Sequence, residues 1–175
     1  MKYITAYNED WPGRFERIAQ FLRDRIPSTC RIHHIGSTSI PGMPAKDIVD
    51  LIVECPDGAM PTVIAALDDA GYDHQGDLGI PMREAFRQRE GSMACELPRH
   101  YLYACESRSP ELFKERAFRD YLIAHAKRAK WLARQKIAAD GSASSRTAYI
   151  EGKSDAYVTV TGEALAWVYE RPRSR

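Results

Sequence analysis

The stretch Ile35-Gly36-Ser37-Thr38-Ser39-Ile40-Pro41-Gly42-Met43-Pro44-Ala45-Lys46-Asp47-Ile48-Val49-Asp50-Leu51-Ile52-Val53 decides the fold. Cys30 to Ile35 alternates weakly and predicts a strand that ends at Gly36. A loop punctuated by proline and glycine follows. Asp47 to Cys55 then reads as a second strand. Its nearly continuous apolar run is the pattern of a strand covered on both faces.

The chemistry of the stretch lies at its two ends. Gly36 lets the backbone turn sharply and lets a ligand approach closely. The hydroxyls of Ser37, Thr38 and Ser39, with free backbone amides, could then hold phosphate oxygens. A plain polar turn accounts for the same composition. No Gly-Lys-Ser/Thr follows at the Walker spacing, and the chain has no Gly-x-Gly-x-x-Gly fingerprint. In a strand Asp50 shares its face with Ile52 and Glu54, while Asp47 points the other way. A charge inside an apolar run needs a cation, a metal or backbone donors. An acid at position 52 would complete a metal-binding pair; Ile52 is there instead.

Other candidates surround this core. Lys46 ends the loop and could neutralise a phosphate, or be a solvated lysine. His33 and His34 are adjacent, face opposite ways, and read as structural. Arg83, Arg87 and Arg89 would form either a solvent-facing basic stripe or an anion-binding wall, since a guanidinium can grip phosphate bidentately. His100 shares a strand face with Leu102, and Tyr101 and Tyr103 point the other way. Residues 114–136 hold eight basic residues and two acids. A charged outer helix face is the ordinary reading, although Arg116, Arg119 and Arg128 could reach an anion at the sheet edge.

The remaining pattern sets the order of elements. Asp10 and Pro12 predict a helix start, with Asp10 as cap, and Pro27 ends that helix. Residues 61–70 read as a helix closed by Gly71. Short segments at 83–88, 92–97 and 101–106 read as strands of one sheet. Ser109-Pro110-Glu111 opens a helix. Further helices are predicted over 127–138 and 147–169, joined by a flexible loop at 140–145. Val158 to Thr161 and Gly162 make the middle of the last helix ambiguous. The expected class is α+β: a mixed β-sheet flanked by helices, with a helical C-terminal half. One domain over 1–170 and a basic tail over 171–175 are expected.

Bulk properties narrow the function. The chain has 175 residues, 44% apolar and 28% charged, and a formal net charge of +1. No global field argues for nucleic acid, and no aromatic stripe interleaves the basic helices. The four cysteines have no Cys-x-x-Cys spacing and read as reduced residues of a cytoplasmic protein. No signal-peptide pattern and no membrane-length apolar run is present.

Several blocks resemble the GrpB family, over roughly residues 3–160. They are Tyr7-Asn8-Glu9-Asp10-Trp11 with Phe15, and His34 to Lys46 with Asp50. Gly79-Ile80-Pro81 with Arg83 and Phe86, and His100 to Tyr103, resemble its middle block. Phe118 to Leu122 and Lys153-Ser154-Asp155 resemble its helical half. The resemblance implies a nucleotidyltransferase-like fold that binds a nucleotide or another phosphorylated ligand. Gly36, Ser37 and Thr38 would lie at the phosphates. Lys46, Arg83, Arg119 and Lys153 would supply positive charge, with His100 nearby. Asp50 would be catalytic and hold any Mg2+. The superfamily pattern has a second acid where this chain has Ile52, so a remote acid, Glu54 or Glu96, would have to substitute in metal-dependent nucleotidyl transfer. A related domain fused to dephospho-coenzyme-A kinases implies an alternative, a non-catalytic accessory that assists a partner enzyme. A nuclease or RNA-binding role for the basic helices is a third reading.

Overall fold

A computed structural model describes residues 2–170; the tail expected at 171–175 lies outside the described residues. The elements run α1 (Trp11–Arg23), β1 (Arg31–Ile35), β2 (Val49–Cys55), α2 (Met60–Asp69), β3 (Tyr72–His74), β4 (Arg83–Gln88), β5 (His100–Glu106), α3 (Pro110–Ala124), α4 (Ala126–Ser142) and α5 (Arg146–Glu170). The five strands form one sheet in the order β1-β2-β5-β4-β3. Only the β2–β5 pair is parallel; the other three pairs are antiparallel. This is the mixed α+β architecture the sequence predicts.

Strand parity divides the sheet. Val49, Leu51, Val53 and Cys55 share a face with Leu102 and Ala104, and pack under α1 and α2 with Trp11, Ile18, Leu22, Val63 and Leu67. Asp50, Ile52 and Glu54 share the other face with Tyr101, Tyr103 and Cys105. Helices α3 to α5 belong to that side. Ile52 and Cys105 pack there on Leu112 of α3. A second cluster joins Phe118, Leu122, Leu132 and Val160 to Ile40 and Met43 of the loop between β1 and β2.

Local chemistry explains most departures from the sequence reading. Asp10 occupies the α1 N-cap position but its backbone is helical and its side chain makes no cap bond. Asn8 acts instead: its Oδ1 accepts the Asp10 N–H at 2.9 Å and its carbonyl accepts the Trp11 N–H at 3.1 Å. Asp47 is not in β2, because Trp11 Nε1 and Arg14 each donate to its carboxylate at 2.8 Å and draw it to α1. The strand expected at 92–97 is a 3₁₀ turn, Met93–Glu96, and β3 takes the sheet edge. Arg89 lies beyond β4; Arg87 and Arg89 pair with Asp73, and Arg89 also with Asp68. No anion-binding wall of three arginines forms.

Half of the loop expected at 140–145 is helical, since α4 runs to Ser142, and residues 143–145 connect it to α5. Asp140 is 1% exposed. Its carboxylate accepts the backbone N–H groups of Lys2 and Tyr3 at 2.6 Å and of Ile4 at 3.1 Å. Thr5 and Ala45 then exchange backbone bonds at 2.7 and 3.1 Å, so α4 fixes the N-terminal segment against the loop that carries Lys46. Helix α5 runs unbroken through Val158–Thr161 and Gly162. Burial of Val160 and Ala164 outweighs a propensity cost of about 1 kcal/mol for one glycine. Among the described residues no helix is long and apolar enough to cross a membrane.

Candidate functional site

The site forms where β1 and β2 run side by side. Ile35 pairs with Asp50, and Gly36 turns the chain at φ 68°. A Cβ on Gly36 would lie 2.7 Å from Asp50 Oδ2. Glycine is therefore required twice, for the left-handed backbone and for close approach to the carboxylate. The turn delivers Ser37 to a cavity between the sheet and the C-terminal helices.

Two helices close on Ser37. Lys136 of α4 is 1% exposed, and its Nζ donates to Ser37 Oγ at 2.7 Å. The Tyr157 hydroxyl of α5 lies 2.8 Å from the same oxygen. Lys153, one turn earlier on α5, places its Nζ 4.4 Å from the centre of the Tyr157 ring and 5.3 Å from that of Tyr149. Lys46, Lys136 and Lys153 surround a lobe of 220 Å³ that also reaches Ser37 and Asp50. An adjoining lobe of 520 Å³ opens between the sheet, α3 and α5, where Arg83, Tyr103 and Glu115 join Asp50 and Lys153.

The electrostatics of these lobes are unusual. Burial pushes the Asp50 carboxyl up to about 7, Glu115 adds to the rise, and Lys153, Lys46 and Lys136 oppose it. Burial brings the Lys136 ammonium down to about 7, with the neighbouring Lys153 charge next in size. Lys153 and Lys46 are lowered too, again mainly by burial. Among the described residues none of these three lysines forms an ion pair, and Asp50 receives no hydrogen bond. Buried charge without a close partner is costly, and among the described residues no ion pair offsets that cost for the three lysines. Arg83 adds to this. Its guanidinium stacks 4.5 Å from the Tyr103 ring centre, and its Nε is buried with no acceptor among the described residues.

The donor set does not fit a protein-held pair of magnesium ions. Among the described residues no three metal-ligating side chains converge, and Asp50 faces three ammonium groups. Glu54 is engaged by His33 at 2.7 Å, Ser107 at 3.0 Å and Arg116 at 3.5 Å. Glu96 is exposed on the 3₁₀ turn. The acid that faces Asp50 is Glu115 of α3.

Of the residues read from sequence, Gly36, Ser37, Lys46, Asp50, Arg83 and Lys153 converge on the two lobes. Thr38, His100 and Arg119 do not. Thr38 is buried and lies 3.0 Å from His34 Nε2. His100 is one residue from Tyr101, the partner of Asp50, so it points to the opposite face and pairs with the Tyr72 hydroxyl at 2.9 Å. Arg119 donates to the His34 carbonyl at 2.9 Å and pairs with Asp120.

Lys136, Tyr157 and Glu115 were not among the sequence candidates, and helical phase could have found them. Lys136 falls four residues after Leu132 and three before Ala139, on the buried stripe of α4. Glu115 lies three residues from both Leu112 and Phe118. Tyr157 lies three before Val160. A polar residue in apolar phase is the mark they share.

Known proteins carry the same framework. UPF0157 protein YqkA of Bacillus subtilis is 34% identical over 168 residues, 94% of this chain and 47% of YqkA. The chain thus spans about half the length of that relative. The crystal structure of conserved protein GrpB from Enterococcus faecalis superposes with a TM-score of 0.79 at 26% identity, covering 95% of this chain and 99% of that one. Cid1 in complex with its short product ApU matches at a TM-score of 0.51 and 13% identity, over 76% of this chain and 40% of Cid1. That likeness is one of fold alone, and the fold is nucleotidyltransferase-like. A family model described as GrpB protein matches residues 3–162, from the opening segment that Asp140 pins to the middle of α5, and the chain belongs to that family.

Proposed function

We propose that the paired lobes bind a phosphorylated ligand, a nucleotide in the cytoplasm, with its phosphates among Ser37, Lys46, Lys136 and Lys153. The observation that carries this reading is the cluster of three lysines around one serine, without ion-pair partners among the described residues. An anion placed there would remove the cost of their burial. Asp50 adjoins the same lobe, where its raised carboxyl accepts a proton and so tolerates an incoming anion. Arg83 and Tyr103 offer a guanidinium and a ring face to the remainder of the ligand. The chain itself supplies the positive charge, so binding persists when magnesium is chelated.

Calorimetry with nucleoside triphosphates, with and without magnesium, tests this. Micromolar binding is expected, weakened at least about tenfold by Lys136→Met, a loss of about 1.4 kcal/mol. No binding by the wild type, or affinity unchanged in Ser37→Ala and Asp50→Ala, would overturn it. Nucleotidyl transfer is a separate measurement on the same samples. Asp50, Glu115 and Glu111, the last paired with Lys114, are the carboxylates that line the lobes, and loss of transfer with binding retained in Glu115→Gln is the outcome that would assign it to this site.

A further inference from the structure

We propose that Ser37 is also a catalytic nucleophile toward uncharged esters, with Lys136 as its general base and Tyr157 as the donor that steadies the developing oxyanion. This activity is independent of nucleotide binding.

The geometry is that of an activated serine. Ser37 Oγ is 2.7 Å from Lys136 Nζ and 2.8 Å from the Tyr157 hydroxyl, both within the reach of proton transfer. Ser37 lines both lobes. Lysine serves as a base only when neutral. Every charged group facing Lys136 bears on that: Lys153 of α5 and Lys46 of the loop disfavour its ammonium, and Asp50 of β2 favours it. Burial is larger than any of these, and the net result is a group that titrates at about 7. Burial also keeps the Tyr157 hydroxyl protonated, so it can donate. Its ring is held by stacking on Phe118, with centroids 5.3 Å apart. The serine-lysine pairing is a recurrent variant of the hydrolase triad.

The cavity selects the substrate class. The 520 Å³ lobe is walled in part by Ile35, Phe118 and Val158, which suits an apolar acyl group. A phosphoryl group next to Lys136 would draw a proton onto it and remove the base. A neutral carbonyl leaves the amine free. In the step, Ser37 Oγ bonds to the carbonyl carbon, its proton passes to Lys136 Nζ, and the carbonyl electron pair moves to oxygen, toward Tyr157 and Lys153. Collapse breaks the bond to the alcohol, which leaves with the proton from Nζ. Water repeats the sequence on the acyl-serine and restores the enzyme.

The test uses the 175-residue chain and p-nitrophenyl acetate, read by nitrophenol release and by peptide mass mapping. One acetyl group is expected on Ser37, absent in Ser37→Ala and formed at least about a hundredfold more slowly in Lys136→Met. In the wild type the acylation rate should rise severalfold between about pH 6 and about pH 8 and then level off. No adduct, an adduct only on other residues, or a rate indifferent to Lys136→Met overturns the proposal. Should Lys136→Met fail to fold by circular dichroism, the wild-type pH profile decides, and a flat profile overturns it. Nucleotide binding without acylation leaves the binding reading standing and removes this one; acylation without nucleotide binding does the reverse.

Discussion

The two faces of the sheet are built by opposite rules. Under α1 and α2, buried residues are apolar and the few polar ones are satisfied locally. His34 stacks on Phe15 with ring centres 4.7 Å apart, and burial brings its imidazole down to about 4, so it stays neutral. Under α3 to α5, the same sheet carries Asp50 and Glu54, and the helices bring Lys136, Lys153, Glu115 and Asp140. One face stores stability in contact with itself. The other buries charge as well: Glu54 and Asp140 are hydrogen-bonded within the fold, whereas Lys46, Lys136 and Lys153 form no ion pair among the described residues. The difference predicts that substitutions on the two faces will separate stability from function.

The largest effect belongs to the dry face. Leu51 is fully buried there, and Leu51→Ala should cost about 2–5 kcal/mol in urea unfolding. Nucleotide affinity of the folded fraction should stay as it is. A parallel fall in affinity would show that the faces are not separable. Asp140→Ala comes next. It removes the acceptor of three backbone N–H groups and should cost about 2–4 kcal/mol. Because Thr5 ties that segment to Ala45 beside Lys46, affinity should fall as well. Stability lost with affinity intact would refute that linkage.

Lys136→Met should act in the opposite sense. The methionine fills similar space without a charge to desolvate, so stability at neutral pH should rise by about 1–3 kcal/mol while ligand affinity falls. Asp50 gives the pH signature. Burial raises its folded carboxyl from the ordinary carboxylate range to about 7. The unfolded chain therefore releases its proton first, and stability is whole below about pH 4 and is lost as pH rises toward about 7. Asp50→Asn should flatten that part of the stability profile. A wild-type profile already flat over this window would place the carboxyl in an ordinary environment.

These contrasts also explain what the sequence made legible. Gly36, Ser37 and Asp50 could be read because a turn and a strand are local, and strand parity places Asp50 without further information. Parity likewise sets His100 on the face away from Asp50. Lys136 was hidden because a basic residue in a basic helix looks solvated. Only packing shows that α4 turns that position onto Ser37, 99 residues away in the chain. Glu115 was hidden for the same reason. The sequence points to Glu54 or Glu96 as the acid that would stand in at Ile52, whereas the carboxylate that shares the cavity with Asp50 is Glu115 of α3. Asp140 read as loop because Gly141 and the serines around it signal a turn, and its contacts with residues 2–4 lie beyond any local pattern.

The smallest expected effect is the sharpest probe of the charged face. Sulfate keeps its double charge across neutral pH, so its affinity reports the protein's titration alone. As pH falls from about 8 to about 6, Asp50 loses its negative charge and Lys136 gains a positive one, since each titrates near 7. Both changes favour an anion, and the sulfate Kd should tighten about tenfold, or about 1.4 kcal/mol, at constant ionic strength. Asp50→Asn imitates the protonated carboxyl. It should bind more tightly than wild type at about pH 8 and keep only the part of the pH dependence that belongs to Lys136. Lys136→Met should keep only the part that belongs to Asp50. A sulfate affinity that is constant with pH in all three proteins would mean that the lysine cluster and Asp50 do not share one site, and the contrast between the two faces would lose its functional half.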